Sequence, residues 1–205
     1  MAQLHDFDKL NNIKRRSEPI DEYFADMGLP DDRRKRREEA AYAYLDMMLW
    51  YFLLLEAGTS YEDANMMLAE RYQDTMADLD ILDAELMAYA YVFADTIGKT
   101  TKEHEDDDWY TSDDRAAFIA ENEASGTIGW DELMEAMEAG MTQKTWHGML
   151  DKRERESHVD AEDQTVGIME FFQVGEAQLL YPHDEINGAE YPEETVGCRC
   201  WVTYS

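Results

Sequence analysis

The residues best equipped to do chemistry fall in the last third of the chain. Lys144-x-Trp146 is followed by Asp151-x-Arg153-x-Arg155-x-x-His158, and Cys198-Arg199-Cys200 comes forty residues later. His158, Cys198 and Cys200 are soft metal ligands that could share one ion, with Asp151 or Asp160 as a fourth. Cys-x-Cys sets both sulfurs on one face of an extended strand, which permits a shared ion. It lacks the Cys-x-x-Cys spacing of common zinc knuckles, however. The preferred reading makes His158 a hydrogen-bonded core histidine and both thiols small buried apolar groups. Arg153 and Arg155 then pair with nearby acids, and neither a metal nor a cofactor is expected.

Other chemistries fare worse. A Cys198 nucleophile with His158 as base needs a group to orient the pair, and nothing in the sequence supplies one. A Cys198–Cys200 disulfide would close a strained ring. The sequence has no Gly-rich phosphate loop, nucleophile elbow or zinc-protease helix motif. Cations able to hold an anionic substrate are scarce after residue 38. These observations point away from an enzyme.

One dense cationic run stands elsewhere, Arg33-Arg34-Lys35-Arg36-Arg37. It reads equally well as a patch for nucleic acid or an acidic partner and as the first turns of a helix, paired with Asp31, Asp32, Glu38 and Glu39.

The chain around these residues has 205 positions, 18 Lys and Arg against 47 Asp and Glu, and a net charge of −29. Such a surface should not coat bare DNA or an anionic membrane. With 44% hydrophobic and 12% aromatic residues, one domain or two small ones can still bury a core. The acids are scattered, and residues 1–37 are nearly neutral, with nine cations and eight acids. Scattered carboxylates fit adaptation to concentrated salt better than a localised acidic mimic. Two cysteines exclude a disulfide framework. The most apolar stretch, Met47 to Leu55, is nine residues long, half of a membrane span. With no apolar signal region at the N-terminus, the expectation is a soluble protein made inside the cell.

The expected fold class is α+β: a long N-terminal helical hairpin, then a small α+β module with an antiparallel sheet. Residues 1–30 read as an extended arm with a short amphipathic turn at Ile20–Phe24. Asp31 and Asp32 favour a helix start, and the helix should run to Ala57, with Gly58 as a left-handed stop. Ser60-x-x-Asp63 has the form of a capping box. Behind it Leu68, Tyr72, Met76, Leu79, Leu82, Leu86, Ala90, Phe93 and Ile97 recur at helical steps, with room for a kink, until Gly98. Residues 31–98 therefore form the hairpin, with 47–55 in its core.

Residues 99–112 read as an acidic linker at a domain boundary, since Glu103–Asp108 lacks the spacing of an EF-hand loop. Residues 113–205 form the module. Its short helices fall at 113–124 and 130–139, closed by Gly126 and Gly140, and its strands at 142–147, 167–174 and 198–204.

Taken in order, a longer set of elements becomes recognisable. Ile119-Ala120-Glu121-Asn122-Glu123, Lys144-x-Trp146, Asp151-x-Arg153-x-Arg155-x-x-His158, Glu170-x-Phe172, Pro182-x-Asp184 and Cys198-Arg199-Cys200 cover about 90 residues, 115–205. Their order and spacing resemble the phage-Mu-F-like head morphogenesis family of minor capsid proteins from tailed viruses. Two departures are Asn122-Glu123, where many relatives carry Thr-Glu after an Arg, and Asp163-Gln164-Thr165, where Gly usually follows Asp.

The resemblance implies a structural virion protein rather than an enzyme. It would lie inside the head near the portal vertex in multiple copies, reaching it from the host cytoplasm during assembly. It would aid capsid assembly and genome packaging or delivery. The expected partners are the portal protein or other capsid proteins, and packaged DNA through the N-terminal arm and Arg33–Arg37, with no membrane. Lys144, Trp146, Asp151, Arg153, Arg155, His158, Cys198, Arg199 and Cys200 would be its structural motif. The hairpin's Met-rich face would contact the portal or further copies, and the scattered acidity suggests a salt-loving host. The competing reading is an acidic DNA mimic or inhibitor that binds a basic nucleic-acid-binding protein.

Overall fold

A computed structural model describes residues 20–205. Residues 1–19 of the expected arm, with Lys9, Lys14, Arg15 and Arg16, lie outside the described residues. In the rest of that arm, the short turn expected at Ile20–Phe24 is helical and packed against the body. Residues Ile20–Ala25 form helix α1, and Ile20, Tyr23, Phe24, Met27 and Leu29 are all buried. Apolar side chains spaced around one short turn bury more surface against the body than an extended arm could.

Helix α2 spans Asp31–Glu56, with both aspartates in its first turn. Gly58 then takes φ +86°, the left-handed stop expected there. Ser60 caps α3, Tyr61–Asp78: its hydroxyl accepts from the Asp63 backbone N–H at 3.2 Å and donates to the Asp63 carboxylate at 2.7 Å.

The long periodic stripe is divided between two helices. Asp80 adopts φ 60°, and the Asp83 carboxylate caps α4, Ala84–Glu103, by accepting from Glu85 and Leu86. Two short-range polar signals outweigh the apolar period that runs across them.

Two glycines, Gly98 and Gly126, behave differently from the sequence reading. Gly98 does not end α4, which continues to Glu103; a Cβ there would come within 2.4 Å of the Asn65 side-chain atoms. Helix α5 is one piece, Asp113–Glu138, where two short helices were expected. It passes through Gly126 and Gly129, whose missing side chains admit the His183 carbonyl and the Tyr181 ring. In each case a packed neighbour needs the space and the helix carries the small propensity cost.

Between α4 and α5 a 3-10 turn covers Asp108–Thr111. Buried Arg115 donates to Thr101 Oγ1 at 2.7 Å and to the Tyr110 carbonyl, and its guanidinium lies 4.8 Å from the Tyr110 ring centroid. Helix α5 packs along α2, so one hydrophobic core runs from Ile20 through Met47, Tyr72 and Phe93 to Ile128 and Tyr181. No helix among the described residues is long and apolar enough to cross a membrane.

The C-terminal part adds a three-stranded antiparallel sheet. Strand β1, Gln143–His147, lies between β2, Thr165–Gly167, and β5, Trp201–Tyr204, with Trp146 opposite Val202. Lys144 and Trp146 are buried while Gln143 is exposed, the alternation of a strand with one covered face. The strand expected over 167–174 is split by a turn, leaving β3, Phe172–Val174, to form a separate hairpin with β4, Ala177–Leu179. Short helices α6, Glu156–Asp160, and α7, Pro192–Thr195, complete the module. Trp146, Phe172, Val174, Leu179 and Val202 form a second small core around Cys198 and Cys200. The fold is α+β, as the sequence pattern predicts.

Candidate functional site

The motif residues converge on this second core. His158 is carried into it by α6, and Cys198 and Cys200 by the segment entering β5. The His158 Nδ1 lies 3.2 Å from Cys200 Sγ and 3.5 Å from Cys198 Sγ. Its Nε2 faces Glu194 Oε2 at 3.1 Å, and the same carboxylate accepts from the Ser157 hydroxyl at 2.7 Å. Trp146 walls the site, with its ring edge-on to His158 at 5.8 Å and to Phe172 at 5.3 Å.

The charges of this group are set by one another. Burial alone would lower the His158 pKa, but the Cys198 sulfur and the hydrogen bonds to Cys198 and Glu194 raise it to about 9. Burial opposes ionisation of Cys198 as well. The Cys200 thiol and the imidazolium outweigh that burial and hold Cys198 well below the ordinary thiol range. Cys200 is pushed up because it donates to Cys198 and is buried.

The backbone of Cys198 is clamped from the other side. Its carbonyl accepts from Tyr23 Oη at 2.7 Å and from His183 Nε2 at 2.5 Å. Burial lowers the His183 pKa to about 4, so this ring is neutral and donates as one tautomer. Tyr23 belongs to α1, which the sequence reading made a short amphipathic turn within the N-terminal arm.

Neither carboxylate proposed as a fourth ligand joins the cluster. Asp151 instead forms a two-pronged pair with Arg199, at 2.7 and 2.9 Å, which holds its carboxyl well below the usual range. Asp160 is exposed at the end of α6. The acid nearest the sulfurs is Glu154, whose Oε1 lies 3.5 Å from Cys200 Sγ. Arg153 pairs with Asp26, and Arg155 donates to the Val196 carbonyl. The two arginines therefore brace the loops that flank the cluster.

Lys144 is fully buried, with no hydrogen-bond partner for Nζ, and lies 5.2 Å from the Phe172 ring centroid. Burial lowers its pKa to about 8, although Asp184 and Glu170 favour the charged form.

The cationic run of α2 is largely occupied within the molecule. Arg33 and Arg37 both pair with Glu132 of α5, Arg36 pairs with Asp131 and Glu135, and Arg34 pairs with Asp31 and Glu38. Of the five, Lys35 is the exposed one. Local pairing with Asp31 and Glu38, anticipated from sequence, accounts only for Arg34. The α5 partners lie 95 to 99 residues away, and no local pattern announces them.

Sequence reasoning also passed over a pair of carboxylates, Glu123 buried and Glu185 partly buried. Glu123 accepts from Tyr72 Oη at 2.7 Å, and Glu185 accepts from Tyr89 Oη at 2.8 Å. Burial and then their mutual repulsion raise the pKa of Glu123, and burial chiefly raises that of Glu185. Glu123 lay within the Ile119–Glu123 element, but nothing local marked Glu185. Both line a cavity with Tyr181, His183 and Ile186 that has room for about a water molecule.

Residues 55–203 match the family described as Phage Mu protein F like protein. The match takes in α3 and α4 as well as the motif-bearing half of the chain. No curated protein and no solved structure matches it.

Proposed function

Because the chain belongs to the Phage Mu protein F like family of phage head-morphogenesis proteins, we propose that it is a minor capsid component. In this reading it associates with the portal inside the head and aids capsid assembly and genome packaging or delivery. The observation that carries the reading is the family match, which spans α3 to α5 and the module that follows, and begins at the very end of α2.

The contacting surface in this proposal is the outward side of α2. Of the hairpin methionines expected to form it, Met47 and Met48 are fully buried, whereas Met66 on α3 is more than half exposed. The apolar residues left on the outer side are Tyr42 and Leu53, more than half exposed, with the partly buried Leu45, Leu49 and Trp50 between them. Steps of three and four keep them on one stripe. An apolar stripe on so acidic a chain is a place for a protein partner, since burying it gains the hydrophobic term; that partner must also accommodate Asp46, which lies on the stripe and pairs with Arg71 at 3.6 Å. Because Arg33, Arg36 and Arg37 are engaged with α5, contact with DNA through this run falls mainly to Lys35.

Mass spectrometry of purified particles, with copy number referred to the portal protein, tests the reading. A few to a few dozen copies retained in DNA-filled heads is the expected result. Absence from both filled heads and assembly intermediates would refute it.

A further inference from the structure

The ligand atoms of His158, Cys198 and Cys200 all lie within 4.8 Å of one another, and each of the three residues is buried. We propose that this cluster is a structural zinc site, with Nδ1 of His158 and both sulfurs as ligands. The inference is independent of the role in head assembly, since it rests only on the local geometry.

Four features favour a metal over a hydrogen-bonded core. A tetrahedral zinc, with bonds of about 2.0 Å to nitrogen and about 2.3 Å to sulfur, places the nitrogen roughly 3.5 Å from each sulfur. The two observed separations are 3.2 and 3.5 Å. The ring is already oriented as a ligand, because Nε2 engages Glu194 and turns Nδ1 toward the sulfurs. A carboxylate behind a metal-bound histidine fixes its tautomer in this way.

Thirdly, the Cys200 backbone N–H points at Cys198 Sγ from 3.3 Å, a donor that stabilises a thiolate and survives its ligation. Fourthly, the Cys198 carbonyl is held by both Tyr23 and His183, so the Cys-x-Cys turn is fixed before any ion arrives. Glu154 lies beside Cys200 but outside the compact triangle. It would hold the water that fills the fourth position.

Two thiolates and an imidazole select zinc over the magnesium or calcium that this chain's many carboxylates would attract. The ion would tie α6 to the start of β5 across forty residues of chain, stapling a small core that has few apolar side chains of its own.

The test uses the full chain, produced with zinc in the medium and purified without chelating resin. Elemental analysis should find about one zinc per chain. Cobalt(II) added to the metal-free protein should give visible bands of a tetrahedral site, with sulfur-to-cobalt charge transfer. Cys198→Ser and Cys200→Ser should each remove about half of that charge-transfer intensity. Because either variant could fail to fold, Glu194→Gln is measured as well. It removes no ligand and should weaken zinc binding roughly ten-fold or more. A folded wild-type chain that carries no zinc and develops no cobalt bands would overturn the site. An unchanged affinity in Glu194→Gln would overturn ligation through a Glu194-oriented Nδ1.

Discussion

Arg37 and Glu132 meet in a buried two-pronged ion pair, at 2.6 and 2.7 Å, although they stand 95 residues apart in the chain. Glu132 also accepts both prongs of Arg33, at 2.8 and 2.5 Å. One carboxylate therefore neutralises two guanidiniums and fixes α5 against α2. Glu132→Ala leaves two cations without that partner, one of them buried. The expected loss is about 3 kcal/mol, since removing one member of a buried pair strands the other. Denaturant unfolding of the variant checks this, and a loss no larger than that of an exposed surface substitution would contradict it.

The same carboxylate makes the fold acid-sensitive. Burial opposes its ionisation, but hydrogen bonds and charge from Arg33 and Arg37 lower the Glu132 pKa from 4.5 to about 2. A depressed carboxyl contributes stability that is present above its unfolded pKa and lost as pH falls toward the folded one. Stability should therefore drop between roughly pH 4.5 and pH 2. In Glu132→Gln the drop across that window should be smaller, as read from unfolding free energy against pH.

Lys144 should act in the opposite range. Its pKa is lowered from 10.5 to about 8, so between these values the unfolded chain binds the proton that the folded chain has lost. Stability contributed by this group therefore rises with pH across that window. Lys144→Met should stabilise the protein at pH 7, on the order of 2 kcal/mol, and the gain should fade as pH approaches 10. A destabilised variant at pH 7 would mean that the buried amine has a compensating partner.

Gly129 marks the place where α5 meets the segment before α7. A Cβ at this position would lie 2.8 Å from Tyr181 Cδ2. Gly129→Ala improves helix propensity yet should destabilise by about 1–3 kcal/mol, because a close-packed ring must shift. Thermal unfolding decides between the two effects. A higher melting temperature would show that Tyr181 moves freely.

The proposed contact stripe gives a separable prediction. Leu53 is exposed, so Leu53→Glu should change stability by no more than about 0.5 kcal/mol. Its copy number in purified heads should nevertheless fall several-fold. Normal incorporation of the variant would remove α2 as the contacting element.

Salt should stabilise the chain. At a net charge of −29, self-repulsion favours expansion and screening relieves it. The surface pairs described above weaken in salt but contribute little. The melting temperature should rise steadily with potassium chloride concentration. A flat or falling curve would count against an origin in a salt-loving host.

What the sequence determined by itself was local. The Gly58 stop and the Ser60 cap depend on residues within a few positions of each other, as does the alternation of Lys144 and Trp146. Their chemistry acts before any tertiary contact forms. The motif order likewise picked out His158, Cys198 and Cys200 as a set.

Tertiary structure decided which of several equivalent residues found a partner. Among 47 acids, nothing local distinguishes Glu194 and Glu154, which reach the cluster, from Asp151 and Asp160, which do not. Gly98, Gly126 and Gly129 read as breaks or escaped notice, because a glycine ends a helix only where no neighbour needs the space it leaves. Arg33, Arg36 and Arg37 looked available until α5 lay beside them. A charge, a gap or an apolar face becomes a contact only when the fold brings its complement within reach, and that complement can lie a hundred residues away.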